Sequence, residues 1–294
     1  MSIIENHLDK NSFLSAIEFT AAETNFEPGL IEKDYFCSVL LSWISSQDID
    51  NLNFKGGTLL AKGHAGFYRL SDDLDFTLPT PSLASRKIRS EAMSPLKSIF
   101  NQIPKIFKGI DIKIELKGSN ESRQYNAEIS YESILGFKEG RILIEIGLRE
   151  ELLESPIIIK LNTLLINPFT KKQFVSPFDF RCLSRDEAYA EKIRAALTSN
   201  RLAIRDFFDL DFALKRNLIN LNDEGFIKLV SKKIENNNNI LLELNNPIKE
   251  QLKRKIITEL VPTLRKQEIG SFDLNKVIEN LELLQSRLKL MCKK

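Results

Sequence analysis

The sequence is poor in the residues that build most thiol and imidazole metal sites. It has two histidines, His7 and His64, and three cysteines, Cys37, Cys182 and Cys292, among 294 residues. Two imidazoles cannot make an HExxH protease or a histidine-rich metal centre. The cysteines lie far apart and form no CxxC. That excludes a thiolate zinc site and a disulfide framework and fits a reducing compartment. No window approaches the roughly 18 uninterrupted apolar residues of a membrane span. The opening MSIIENHLDKNSF has no basic stretch leading into an apolar one, so no secretory signal and no membrane partner are expected. The expected location is cytoplasmic.

Excess charge of one sign is lacking too, since 42 basic and 40 acidic residues leave +2. The distribution is uneven: Lys249 to Lys294 carries 11 basic and 6 acidic residues, which leaves the rest of the chain slightly acidic. Such a run can meet phosphates but is more often a solvated helical face. What is present is ordinary: 43% hydrophobic and 28% charged residues suit a globular chain that buries a core. Its length suggests about two domains. Any metal must be a hard cation held by carboxylates, magnesium or manganese.

The first fifty residues read as helical, with Ile31, Tyr35, Val39 and Trp43 at four-residue spacing after Pro28-Gly29. Then Asn53-Phe54-Lys55 runs into Gly56-Gly57-Thr58, a short helical LLAKGHAG, a polar turn and Leu74-Asp75-Phe76-Thr77-Leu78. The order is strand, glycine turn, short helix, strand. Residues 84–108 read as helix interrupted near Pro95 and Pro104. Alternating segments at 110–116, 125–133, 141–150 and 156–161 read as strands. Beyond Pro168 the pattern is helical, strongest over 185–199 and 201–216 and broken by Asn236 to Asn239, Pro247 and Pro262. The expectation is an α+β chain: a helical segment over 1–50 packing on the core, a mixed-sheet core over 51–167, and a helical domain over 168–294.

The chemistry concentrates in KGGTLLAKGHAGFYRLSDDLDF. Gly56 and Gly57 let a backbone approach a ligand with no Cβ in the way. A helix opening at Thr58 offers free N–H groups to phosphate oxygens. Asp73 and Asp75, two apart on a strand, project to one face. Two parallel carboxylates there suit a divalent cation; without one, like charges repel. Glu145, mid-strand in LIEIG, is the choice for a third carboxylate, with Asp111, Glu115 and Glu128 as competitors that spacing alone does not separate. Such a site supports in-line nucleotidyl or phosphoryl transfer. A glycine pair alone is commonly just a turn, and an isolated DxD commonly a solvated strand edge; their ordered combination carries the argument.

A second cluster lies in EAYAEKIRAALTSNRLAIRDFFDLD. Ala188, Lys192, Ala195 and Ser199 share one side of a helix beside a buried stripe of Tyr189, Ile193 and Ala196. Asp206 and Asp209 share a face of the next helix, opposite Phe207, Leu210 and Leu214. From spacing alone these charges read equally as a solvated face, with Arg205–Asp209 an i, i+4 pair worth a few tenths of a kcal/mol.

In sequence these motifs resemble the nucleotidyltransferase family of AbiEii/AbiGii toxins, which includes the MenT-type toxins. The likeness runs through IEKDY (31–35), KGGTLL (55–60), RLSDDLDF (69–76), the strand acid in IEIGLRE, AEKIRAAL (190–197) and RDFFDL (205–210). After residue 220 no motif matches. The resemblance implies a polymerase-β-like nucleotidyltransferase fold. It implies that Lys55, Gly56, Gly57 and Thr58 bind the NTP triphosphate and that Asp73, Asp75 and Glu145 hold magnesium or manganese. Lys192 would contact phosphate, and Asp206 or Asp209 would complete the site. Thr58 replaces the serine of the wider superfamily, and AALTSNR spaces Arg201 more loosely than the family pattern; neither change removes a metal ligand. The implied activity is transfer of NMP to RNA, with the tRNA 3′ end as acceptor, by the toxin of a type IV toxin–antitoxin pair with a cognate antitoxin. A small-molecule nucleotidyltransferase of the antibiotic-modifying kind and a catalytically idle nucleotide- or RNA-binding module are the alternatives.

Overall fold

The computed structural model describes residues 4–47, 49–81, 83–136, 139–148, 151–198, 202–235 and 241–291. The expected positions Arg201, Ser199 and Cys292 and the asparagine run lie outside the described residues. The chain divides into a first unit of residues 1–152 with 156–183 and a second of 153–155 with 184–294.

In the first unit, α1 (Lys10–Thr24) starts where the Asp9 side chain accepts from the Ser12 N–H, and ends at Asn25 in the left-handed region. Helix α2 (Pro28–Ser45) opens with proline at its start, where a missing N–H costs nothing. It is buried nearly all round, so Ile31, Tyr35 and Val39 face core while the polar Glu32, Asp34 and Ser38 are buried with them. Next come β1 (Asn53–Lys55), α3 (Gly56–Leu59) running into a π turn at Leu60–His64, and β2 (Asp73–Thr77). Pro95 and Pro104 sit in the first turns of α5 (Ser94–Phe100) and α6 (Ile103–Ile106), after α4 (Arg86–Ala92), so each proline opens a new short helix. Strands β3 (Ile110–Ser119), β4 (Gln124–Tyr131), β5 (Gly140–Gly147) and β6 (Ile157–Leu161) follow the four alternating segments.

A seventh strand, β7 (Phe178–Cys182), lies in a stretch expected to begin the helical half. Its alternation is regular, with Phe178, Phe180 and Cys182 buried and Asp179 and Arg181 exposed. It is five residues long and follows a proline, so it leaves little periodicity to read. The sheet thus continues past residue 167, and the first unit ends at Leu183. Strand order is β3-β4-β5-β2-β1-β7-β6. β2 runs parallel to β5 and β1 parallel to β7, with the other pairs antiparallel. One face of the central strands is core: Leu74, Phe76, Ile142, Ile144, Ile146 and Ile129 are buried there. The opposite face carries the polar residues.

The second unit is helical: α7 (Arg185–Thr198), α8 (Ile204–Lys215), α9 (Glu224–Glu235), α10 (Asn246–Lys255), α11 (Lys266–Ile269) and α12 (Leu274–Met291). Five cations of the basic run, Lys249, Lys253, Lys255, Arg265 and Lys276, each pair with a glutamate of the same run. That is the solvated-face outcome. Among the described residues no helix is long and apolar enough to cross a membrane.

Candidate active site

The polar face of the sheet is organised in rows by strand register. Lys55 of β1 lies opposite Asp75 of β2, Asp75 opposite Glu145 of β5, and Glu145 opposite Asn126 of β4. One step along, Asp73 pairs with Leu143 and Leu143 with Glu128. Registered residues share a face, so Asp73, Asp75 and Glu145 stand together on two neighbouring strands. Of the competing carboxylates, Glu128 is one strand further away and meets the Arg141 guanidinium at 3.1 Å. Asp111 sits on β3 opposite Ser130, and Glu115 is on the same strand. Among the described residues, no three carboxylate, imidazole or thiol groups are already drawn together as a cation would hold them. The donors are of the right chemistry for a hard cation, carboxylate oxygens.

The glycine pair has a defined job. Gly56 has φ +83°, and a Cβ there would fall 2.2 Å from Asp75 Oδ2. A Cβ on Gly57 would lie 2.7 Å from Arg69 Nη2 and 2.9 Å from Ser71 Oγ. The space over both glycines is therefore filled by side chains of this chain, where spacing alone pointed to an approaching ligand. Helix α3 begins at Gly56, two residues before Thr58. Thr58 is buried and its hydroxyl donates to the Asp73 carbonyl at 2.6 Å, tying the turn to the start of the DxD strand. The Lys55 ammonium lies over β5, 4.0 Å from where a Gly147 Cβ would be.

Sequence reasoning gave no role to the charges behind this face. Lys62 is fully buried, and its ammonium donates to Asp34 Oδ1 at 2.6 Å and Ser38 Oγ at 2.8 Å. Lys33 pairs with Asp72 at 2.7 Å. Glu32 accepts from Ser133 Oγ and the Ile134 N–H, both at 2.7 Å. Burial raises the Glu32 pKa, and those two bonds oppose the shift. The signal was available: single charges inside otherwise apolar helix need buried partners.

In the second unit the Lys192 ammonium meets Asp206 Oδ1 at 2.6 Å and Asp209 Oδ2 at 3.1 Å. Asp209 is fully buried and the other two side chains are 15% exposed, so the cluster is not a solvated face. Tyr189, Ile193, Ala196, Phe207 and Leu210 form its buried support, as their spacing predicts. Beside it stands a second buried cation, Lys233, at 2.6 Å from Glu187 and 2.8 Å from Glu191. Desolvation opposes its charge, but the two glutamates outweigh it and the Lys233 pKa is raised. Glu187 also accepts the Leu153 and Glu154 N–H groups. Lys233 falls on the apolar stripe of α9 with Phe226, Ile227, Val230 and Ile234, which is where sequence could have flagged it.

A mixed sheet that sets a glycine turn against a DxD strand, with an acid on the next strand, is the arrangement of a nucleotidyltransferase. The sequence matches the family of the nucleotidyl transferase AbiEii toxin, Type IV TA system, over residues 39–289. The chain belongs to that family and is a nucleotidyltransferase of the toxin–antitoxin class. It is similar in fold to JHP933 from Helicobacter pylori, with TM-score 0.52, 16% identity, and coverage of 91% of this chain and 97% of that one. A candidate nucleotidyltransferase from H. pylori aligns with TM-score 0.48 and 16% identity, over 90% of this chain and 99% of that one. No curated protein matches the sequence.

Proposed function

We propose that this toxin transfers a nucleoside monophosphate from an NTP to RNA, at the 3′ end of tRNA, with magnesium or manganese held by Asp73, Asp75 and Glu145. The observation that carries the reading is the register of Asp75 with Glu145 on the polar sheet face, with Asp73 one step along the same strand. A cation bound there supplies positive charge to the acceptor hydroxyl and to the leaving pyrophosphate. Gly56 keeps Asp75 in place by having no side chain, and Thr58 holds the start of its strand. Lys55 brings an ammonium to the same face, suited to a triphosphate oxygen. On the family resemblance, Lys192 is assigned as a phosphate contact, with Asp206 or Asp209 completing the site. The reading implies a cytoplasmic site of action and a cognate antitoxin.

The test incubates purified protein with total small RNA, magnesium and each α-labelled NTP, beside Asp73→Ala and Asp75→Ala. A labelled tRNA-sized band that requires both aspartates, from variants that melt like wild type, is the expected result. Label on small molecules alone would favour an antibiotic-type transferase. No label with any NTP, from folded protein, would favour an idle binding module.

A further inference from the structure

Three glycines lie within the described strands, and two of them have a structural reason. A Cβ on Gly118 of β3 would meet the Tyr125 ring at 3.0 Å, and one on Gly140 of β5 would run into the Tyr131 ring. Gly147, the last residue of β5, has no such neighbour. Its φ is not positive, and a Cβ there would find only the Phe76 carbonyl at 3.9 Å and the Lys55 ammonium at 4.0 Å. Both are ordinary contacts, so neither backbone nor packing requires glycine. A strand glycine weakens its strand, and one with no local reason marks a close approach by a ligand.

The side of Gly147 left open is the polar one. It follows Glu145 by two residues, so its missing side chain belongs to the face that carries Asp75 and Glu145. Register sets Thr77 on one side of it and Gln124 on the other. Thr77 is buried, with its hydroxyl donating to the Gly147 carbonyl at 3.3 Å. Gln124 donates an amide N–H to Asn126 Oδ1 at 3.2 Å, and Asn126 is the register partner of Glu145. The Lys55 ammonium reaches over from β1, and among the described residues no carboxylate pairs with it. The strands flanking β5 lie roughly 10 Å apart. A bare end of β5 thus has an ammonium over it, amides along β4, and the carboxylates one step away.

Ammonium and carboxamide N–H groups are donors, and anionic oxygens suit them. The adjoining carboxylates repel an anion unless a cation is shared between them. We propose that the space over Gly147, between the Lys55 ammonium and the Gln124–Asn126 amides, seats the terminal phosphates of the NTP. The identity of the ligand rests on the functional reading above. Phosphates of an RNA backbone share this chemistry, but a floor one residue wide fits the end of a small ligand.

The test titrates inorganic pyrophosphate with magnesium into the full chain by calorimetry, for wild type, Gly147→Ala, Gly147→Val and Gln124→Leu. Initial rates are then measured with NTP and tRNA varied separately. Gly147→Val should weaken pyrophosphate binding and raise the KM for NTP about tenfold, the worth of one lost hydrogen bond to a charged group. Its KM for tRNA should not change. Its melting temperature should match or exceed wild type, because valine suits a strand better than glycine. Gly147→Ala should fall between the two, and Gln124→Leu should weaken pyrophosphate binding with the fold intact. Wild-type pyrophosphate affinity and NTP KM in Gly147→Val would overturn the subsite while leaving transfer intact. A melting temperature well below wild type would overturn it too, by giving the glycine a structural reason. A rise in the KM for tRNA alone would overturn the assignment to NTP in favour of RNA phosphates. If wild type labels no RNA, the RNA acceptor falls, and the pyrophosphate titrations still decide the subsite. Wild-type protein that binds neither NTP nor pyrophosphate would overturn the functional reading and the subsite together.

Discussion

Lys62 and Asp34, 28 residues apart, form a 2.6 Å ion pair with side chains 0% and 3% exposed. It links α2 to the turn that follows Gly56-Gly57. The neighbouring residues of α2 make parallel links, Lys33 to Asp72 just before the DxD strand and Glu32 to the backbone after β4. Three consecutive charged residues of one buried helix thus brace three segments around the polar sheet face. Asp34 Oδ2 has no hydrogen-bond partner among the described residues, which leaves the pair costly to disturb.

Removing one partner strands the other charge in the core. Lys62→Met should lower unfolding free energy by about 3–5 kcal/mol, and the double variant Lys62→Met/Asp34→Leu should recover most of that. Chemical denaturation of both checks it. A double variant as unstable as the single would mean that α2 needs the hydrogen bonds themselves.

Gly56→Ala should remove transfer activity. A Cβ at φ +83° would collide with Asp75 Oδ2, and the backbone conformation alone costs an L-residue about 1–2 kcal/mol. The control is Gly29→Ala, where an added Cβ meets nothing within 4 Å. Steady-state rates and thermal melts of the two separate a displaced carboxylate from a general loss of fold.

Lys192→Ala should abolish turnover or raise the NTP requirement, and also destabilise the protein. Asp209 is fully buried and loses an ammonium that meets it at 3.1 Å, which should cost about 1–3 kcal/mol. Lys233→Met removes a buried cation of α9 and should destabilise without a selective effect on NTP KM. Wild-type kinetics in Lys192→Ala would make its cluster purely structural.

His7 links stability to pH. Its Nε2 contacts the Lys108 carbonyl at 2.8 Å, so that nitrogen carries the proton, and Nδ1 accepts from the Tyr35 hydroxyl at 3.1 Å. Burial lowers its pKa below the ordinary 6.5. Between the two values the unfolded chain binds more protons, so the contribution is present above 6.5 and is lost as pH falls through the folded value. Melting temperatures from about pH 7.5 to 5.5 should show wild type losing its advantage over His7→Gln. A constant difference over that range would show that His7 does not titrate in the transition.

Much of the fold is local and was legible. Strands β3 to β6 announce themselves by alternation, the glycine turn and DxD by their order, and the helices of 185–216 by their apolar stripes. The five-residue β7 was missed because a short strand after a proline leaves almost no period to detect.

What the sequence by itself determined is the set of elements, the polar and apolar side of each, and a motif order specific enough to name a family. Only the tertiary structure decided which groups meet. Lateral strand order put Glu145 beside Asp75 and Glu128 one strand away. Long-range packing joined Lys62 to Asp34 and Lys233 to Glu187. It also filled the space over the glycines with Asp75, Arg69 and Ser71. Periodicity reports how one segment divides between water and core. Register between strands and pairing of buried charges depend on residues far apart in the chain, and no local pattern encodes them.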